Sequence, residues 1–149
     1  MADLDLVRRL GGAESGLAIV ATTRADGTVQ PSLVNAGVMT RPGGSDDVVA
    51  FVGRGDAVKL RNMRQRPRAA VVFRSGWEWV SVEGPATIVG PDDLTDGVDA
   101  DQVRLLLRDV FRAAGGTHDD WDEYDRVMLA DRRAAVFITP ERITSNAPR

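Results

Sequence analysis

The sequence predicts a mainly β (α+β) domain, with six or seven antiparallel strands closed into a small barrel and helices inserted between them. Three observations predict it. Runs of β-branched and apolar residues recur along the chain, most of them are joined by short turns, and two intervals carry helical rather than alternating apolar spacing. At 149 residues the chain makes one domain, 1–149, long enough to bury a core without a disulfide or metal staple.

The first helix is expected over 3–10, with Leu4, Leu6, Val7 and Leu10 apolar and Gly11-Gly12 stopping it. Residues 17–23 are almost continuously apolar and read as a buried strand. Asp26-Gly27 then signals a tight primed hairpin turn, which needs positive φ. The second strand runs from about Val29 to Met39, and Pro31 near its start favours an edge or a bulge. After the Arg41–Asp47 loop, 48–52 is a third strand. Gly53-Arg54-Gly55 breaks it, and Asp56 is placed to cap a helix running to about Gln65. Pro67 ends that helix, 69–73 is a fourth strand, and Ser75-Gly76 turns into a fifth over 77–89. Its alternation puts Trp77, Trp79, Ser81 and Glu83 on one face and Val80 and Val82 on the other. Val103, Leu106, Leu107, Val110, Phe111 and Ala114 form an amphipathic helical stripe ended by Gly115-Gly116. Trp121, Tyr124, Met128 and Leu129 mark another helix. Residues 134–139 and a short closing strand near 142–144 complete the barrel.

Composition narrows the chemistry. Hydrophobic residues are 43% and charged residues 28%, ordinary values for a soluble globular domain. With no cysteine, thiol catalysis, iron–sulfur clusters and cysteine-bound zinc are excluded, and a single histidine, His118, leaves no material for a His-based metal site or triad. No metal is expected. Paired acids such as Asp119-Asp120 and Asp122-Glu123 read as a capped, solvated first helical turn, and His118 reads as a helix-start residue. No apolar run reaches membrane-span length, and the acidic N-terminus lacks a secretory pattern, so the chain reads as cytoplasmic, with no membrane partner.

Charge is unevenly spread. Lys59 is the single lysine beside 18 arginines, and between Arg54 and Arg74 seven basic residues face one acid, Asp56. Between Asp92 and Asp131 lie 12 of the 22 acids. The net charge of −3 argues against nucleic acid as the partner of the basic stretch. The stretch 53–62 places a strand end, a glycine break and a helix start together. Arg54, Lys59 and Arg61 are expected to converge there with free backbone N–H groups, the arrangement an anion such as a phosphate needs. The plain alternative is a solvated helix face. No nucleophile–base pair, Walker loop or dinucleotide fingerprint is present.

Here the order of segments resembles the split-barrel flavin/deazaflavin oxidoreductases, the superfamily of pyridoxamine 5′-phosphate oxidase, and within it the branch that uses coenzyme F420. Residues 21–32 are similar to the first hairpin of that superfamily, and 53–68 to its phosphate-binding helix and following strand. The run Trp79-Val80-Ser81-Val82-Glu83-Gly84-Pro85-Ala86 resembles its V-E-G-x-A strand. Residues 118–124 and Asp131-Arg132-Arg133 resemble one subgroup's C-terminal helix and last strand. The resemblance implies an FMN-binding split-barrel type of fold and a homodimer with cofactor sites at the subunit interface. It also implies an F420H2-dependent reductase of a small conjugated or quinone-like acceptor. By the same resemblance the ring lies against strands two and three near Ser32, Leu33, Val34, Asn35, Ala50 and Val52. The anionic tail reaches Arg54, Lys59, Arg61 and Asn62, and Trp77 and Trp79 line the pocket or pack the interface. No side chain is assigned as catalytic, because the cofactor carries the hydride. FMN with a pyridoxamine 5′-phosphate oxidase-like activity, and a non-catalytic flavin- or deazaflavin-binding protein, are the alternatives. The chain departs from many relatives by Asn35-Ala36-Gly37, where they carry an aromatic residue in the second strand, and by a longer 41–47 loop.

Overall fold

The computed structural model describes residues 3–148. Its elements are α1 (Leu4–Ala13), β1 (Leu17–Thr23), β2 (Val29–Thr40), β3 (Asp47–Gly53), α2 (Val58–Gln65), β4 (Arg68–Ser75), β5 (Glu78–Val89), α3 (Ala100–Ala113), α4 (Trp121–Ala130), β6 (Ala134–Ile138) and β7 (Arg142–Ser145). Every strand pairing is antiparallel. Strands β1, β2, β3, β6, β5 and β4 close a ring, because β4 pairs with β5, and β7 adds to the outside of β5. The expected six- to seven-stranded barrel with inserted helices is the fold observed.

Period-two alternation splits each strand between two environments. Inward residues of every barrel strand, including Val20, Val34, Phe51, Phe73, Val82 and Val136, form one core, and α1 and α2 close it with Leu6, Val7, Leu10, Leu60 and Met63. A second cluster lies outside the barrel wall. There Val48, Ala50, Ala135 and Phe137 on the outward side of β3 and β6 meet Leu107 and Val110 of α3 and Tyr124 of α4. Strand β3 is therefore apolar on both faces because both are covered.

Four local readings differ from expectation. Helix α1 runs through Gly11 and Gly12 to Ala13, because Gly11 packs toward Phe73 and Gly12 faces open space. It starts at an Asp3 cap that accepts from the Leu6 N–H at 3.0 Å. Strand β1 is buried on its inward side only; Leu17 and Ile19 face outward and are exposed. In the β1–β2 turn the Gly27 N–H bonds the Arg24 carbonyl at 2.9 Å, and positive φ falls on Gly27 alone. That is a turn followed by a glycine bulge instead of a two-residue primed turn. Asp56 does not cap α2: Ala57 holds the cap position without a side-chain bond, and Asp56 pairs with Arg54. The other strands and the two later helices fall where the patterns put them. Pro31 sits in the part of β2 that pairs with β1 alone, and Asp120 caps α4 through the Glu123 N–H at 3.1 Å.

One contact fixes α3 on the barrel. A Cβ on Gly37 would lie 2.1 Å from the Ala113 carbonyl oxygen, so the end of α3 rests directly on the β2 backbone. Beside it the Asn35 amide donates to the Ser15 and Ala114 carbonyls at 2.8 and 3.1 Å.

Candidate functional site

The glycine break after β3 positions the most unusual charges in the molecule. Gly55 lies so near the turn before β6 that a Cβ there would approach the Arg132 carbonyl oxygen to 2.6 Å. Arg133, the last residue before β6, lies near enough to Lys59 in the first turn of α2 for its charge to act on the ammonium. Lys59 is half-buried. Burial, and then the Arg133 guanidinium, push its ammonium below the usual lysine value. Arg133 reaches Asp131 at 3.2 Å, but among the described residues Lys59 has no carboxylate partner. Two neighbouring cations with one acid, on Arg133 alone, leave a positive excess that a bound anion would relieve.

The expected convergence of three cations is divided by helix geometry. Lys59 and Arg61 are two positions apart, roughly 200° around a helix, so they sit on opposite sides of α2. Arg61 is exposed. Arg54 pairs with Asp56 at 3.4 Å and lines a separate cleft of about 220 Å³ with Asp56, Asp92 and Asp131. Arg132 pairs there with Asp92, and acids already answer the positive charge. Asn62 is buried, donating to Thr22 Oγ1 at 3.1 Å and accepting from Arg66 at 3.4 Å, so it fastens α2 to β1 instead of facing solvent.

The strand residues separate similarly. Val34 is in the barrel core, and Ser32 points into the barrel wall with its hydroxyl buried and unpartnered. Asn35 is consumed by two backbone carbonyls. Ala50 is fully buried and Val52 half-buried beneath α3 and α4. Leu33 is 60% exposed and lies opposite Ile19 on the outward face of β1 and β2. Trp77, 94% exposed at the β4–β5 turn, and Trp79 belong to that same uncovered side. Asn146 clamps the hairpin, accepting from the Trp79 N–H at 2.9 Å and donating to the Trp77 carbonyl at 2.7 Å. The predicted set thus occupies the cation pair and helix-covered wall on one side, and a bare apolar face on the other.

Two features escaped sequence reasoning. Arg133 is separated from Lys59 by the whole helical excursion, and the only signal was a pair of arginines directly before a strand. The other is a cleft of about 660 Å³ between the 90–99 segment, α3 and α4, walled by Val89, Val98, Val103, Leu107, Met128 and Leu129. Arg133 also lines it. Around it, Tyr124 is pushed up to about 12 by burial and donates to the Leu107 carbonyl at 3.1 Å, so it stays a neutral phenol. No helix among the described residues is long and apolar enough to cross a membrane.

A family model described as pyridoxamine 5′-phosphate oxidase matches residues 9–145. A conserved hypothetical protein from Mycobacterium tuberculosis is similar over 100% of this chain and 91% of its own, at 18% identity and a TM-score of 0.67. A pyridoxamine 5′-phosphate oxidase-related, FMN-binding protein from Nostoc punctiforme is similar over 95% of this chain and 82% of its own, at 11% identity and a TM-score of 0.64. A protein named as an F420 reductase matches over 86% of this chain and 88% of its own, at 17% identity and a TM-score of 0.56.

Proposed function

The chain belongs to the pyridoxamine 5′-phosphate oxidase family, and from that premise we propose that it is an F420H2-dependent reductase of a small conjugated or quinone-like acceptor, working as a homodimer. The observation that carries the reading is Lys59, half-buried with no carboxylate partner among the described residues and with the Arg133 guanidinium near enough to depress its ammonium. Those residues fit a phosphate-bearing cofactor: a phosphate dianion would neutralise both, and each charge-assisted contact contributes about 1.5–3 kcal/mol. When bound, the deazaflavin supplies the hydride. The chain's part is to anchor the anionic tail at Lys59 and Arg133, fix its direction by the rigid turn at Gly55, and exclude water. No side chain is given an acid–base role.

The homodimer rests on the uncovered face. Leu17, Ile19, Leu33, Trp77 and Trp79 stand outward on β1, β2 and the β4–β5 hairpin. Exposed apolar patches of this kind mark interfaces. A second copy seated there explains why β1 is apolar at positions on both faces.

The test is titration of the purified protein with F420 and with FMN. F420 fluorescence should change saturably, and Lys59→Ala and Arg133→Ala should each weaken binding by about tenfold or more. Tight FMN binding without F420 binding would move the protein to an FMN-dependent activity. Binding without turnover across a panel of quinones and enones would make it a cofactor-binding protein. Binding of neither cofactor would refute the reading.

A further inference from the structure

We propose that the cleft between the 90–99 segment, α3 and α4 is a second binding site, for a small apolar organic acid such as an aromatic carboxylate. Its volume of about 660 Å³ is that of a small-molecule site. Its walls are aliphatic, and two more apolar side chains stand in water at its mouth: Leu94, 89% exposed, and Leu129, 69% exposed. An apolar body in the cleft would cover surface the chain leaves wet.

The charges choose the sign of the ligand. Three acids on the lining are ion-paired, and the fourth, Asp99, is held at the positive N-terminal end of α3. Asp93 takes Arg64 at 2.7 Å, Asp99 accepts the Gln102 N–H at 2.8 Å, Asp101 takes Arg104 at 2.7 Å, and Asp125 takes Arg108 at 2.5 Å and Arg104 at 3.2 Å. Arg133 is engaged by Asp131. Arg126 lines the same cleft and has no ion-pair partner among the described residues. A carboxylate matches that guanidinium with two parallel hydrogen bonds, while the hydrocarbon body lies against Val98, Val103 and Met128. A cationic ligand would meet an unanswered arginine, and a neutral one would leave it unused.

The cleft shares Arg133 with the cofactor reading but not Lys59, and the cofactor reading does not use Arg126. The cleft's test separates the two. The full chain is titrated calorimetrically with 2-naphthoate and with its neutral analogue 2-naphthylmethanol. One saturable naphthoate site is expected. Arg126→Gln should weaken naphthoate about tenfold and leave naphthylmethanol unchanged. Leu94→Asp, at an exposed position that leaves the melting temperature unchanged, should weaken both. Lys59→Ala should change neither. The proposal is overturned by absence of saturable binding, by equal losses for acid and alcohol in Arg126→Gln, or by binding indifferent to Leu94→Asp. Displacement of bound naphthoate by F420 or FMN also overturns it, because the cleft would then belong to the cofactor.

Discussion

Replacing Gly37 by alanine tests how α3 is held. The added methyl would sit 2.1 Å from the Ala113 oxygen and 2.8 Å from the Ala114 nitrogen, both backbone atoms. Carbon–oxygen contacts settle at about 3.3 Å, so the end of α3 must retreat by about 1 Å. It is not free to do so: Val110 is fully buried beneath it, and the Asn35 amide reaches the Ala114 carbonyl at 3.1 Å. Overpacking costs about 1–3 kcal/mol, and the strained amide bond adds about 0.5–1.5 kcal/mol. A loss of about 2–4 kcal/mol lowers the melting temperature of a domain this size by roughly 4–16 °C. Gly12→Ala is the matched control, since nothing lies within 4 Å of its Cβ and it sits inside α1. There the methyl should stabilise by about 0.5–1 kcal/mol through helix propensity alone. Urea unfolding followed by tryptophan fluorescence reads both. A Gly37→Ala protein as stable as wild type would refute the seated-helix account.

Further outcomes follow from charge and exposure. Because Lys59 is depressed in the fold, its charge destabilises the cofactor-free chain, and that penalty fades as pH rises toward the ordinary lysine value of 10.5. Lys59→Met should therefore raise cofactor-free stability at neutral pH, flatten the alkaline rise in urea unfolding, and weaken cofactor binding. Ile19→Lys, on the bare face of β1, should leave a folded monomer by sedimentation if a second copy normally covers it. Arg108, then Arg104, hold the Asp125 carboxyl below its ordinary 3.8. Such a group stabilises above its unfolded value and loses the effect as pH falls through the folded one. Asp125→Asn should cost about 1–3 kcal/mol at neutral pH, with the two unfolding curves converging below pH 3.8.

The barrel was legible because its strands alternate and its turns carry Asp-Gly, Ser-Gly and Pro signals at element ends. The helical stripe of α3 was legible for the same reason, as five of its six apolar positions meet the barrel wall or α4. What failed were statements needing tertiary partners. Nothing local distinguishes a β1 covered on both faces from one waiting for a neighbour. Glycines chosen for close approach, such as Gly11 and Gly55, look like helix stops or loop residues in sequence. Of the candidate site, Lys59 was marked by its solitude among arginines, but its companion lies across the helical excursion. Asn35 and Asn62 have the chemistry of ligand contacts, yet buried carbonyls and hydroxyls claim them first.

Val89 and Ala135 are paired neighbours in adjacent strands, although everything from Gly90 to Ala134 lies between them in the chain. The excursion leaves and re-enters the sheet at a single seam. Its exposed positions can drift without shifting any strand register, so long as its α3 terminus still fits Gly37 and Asn35, while Leu107, Val110 and Tyr124 still cover β3 and β6 and Arg132 still meets Gly55. The barrel acts as a fixed chassis, and the 90–133 cassette is where new ligand preferences are cheapest to evolve or to transplant.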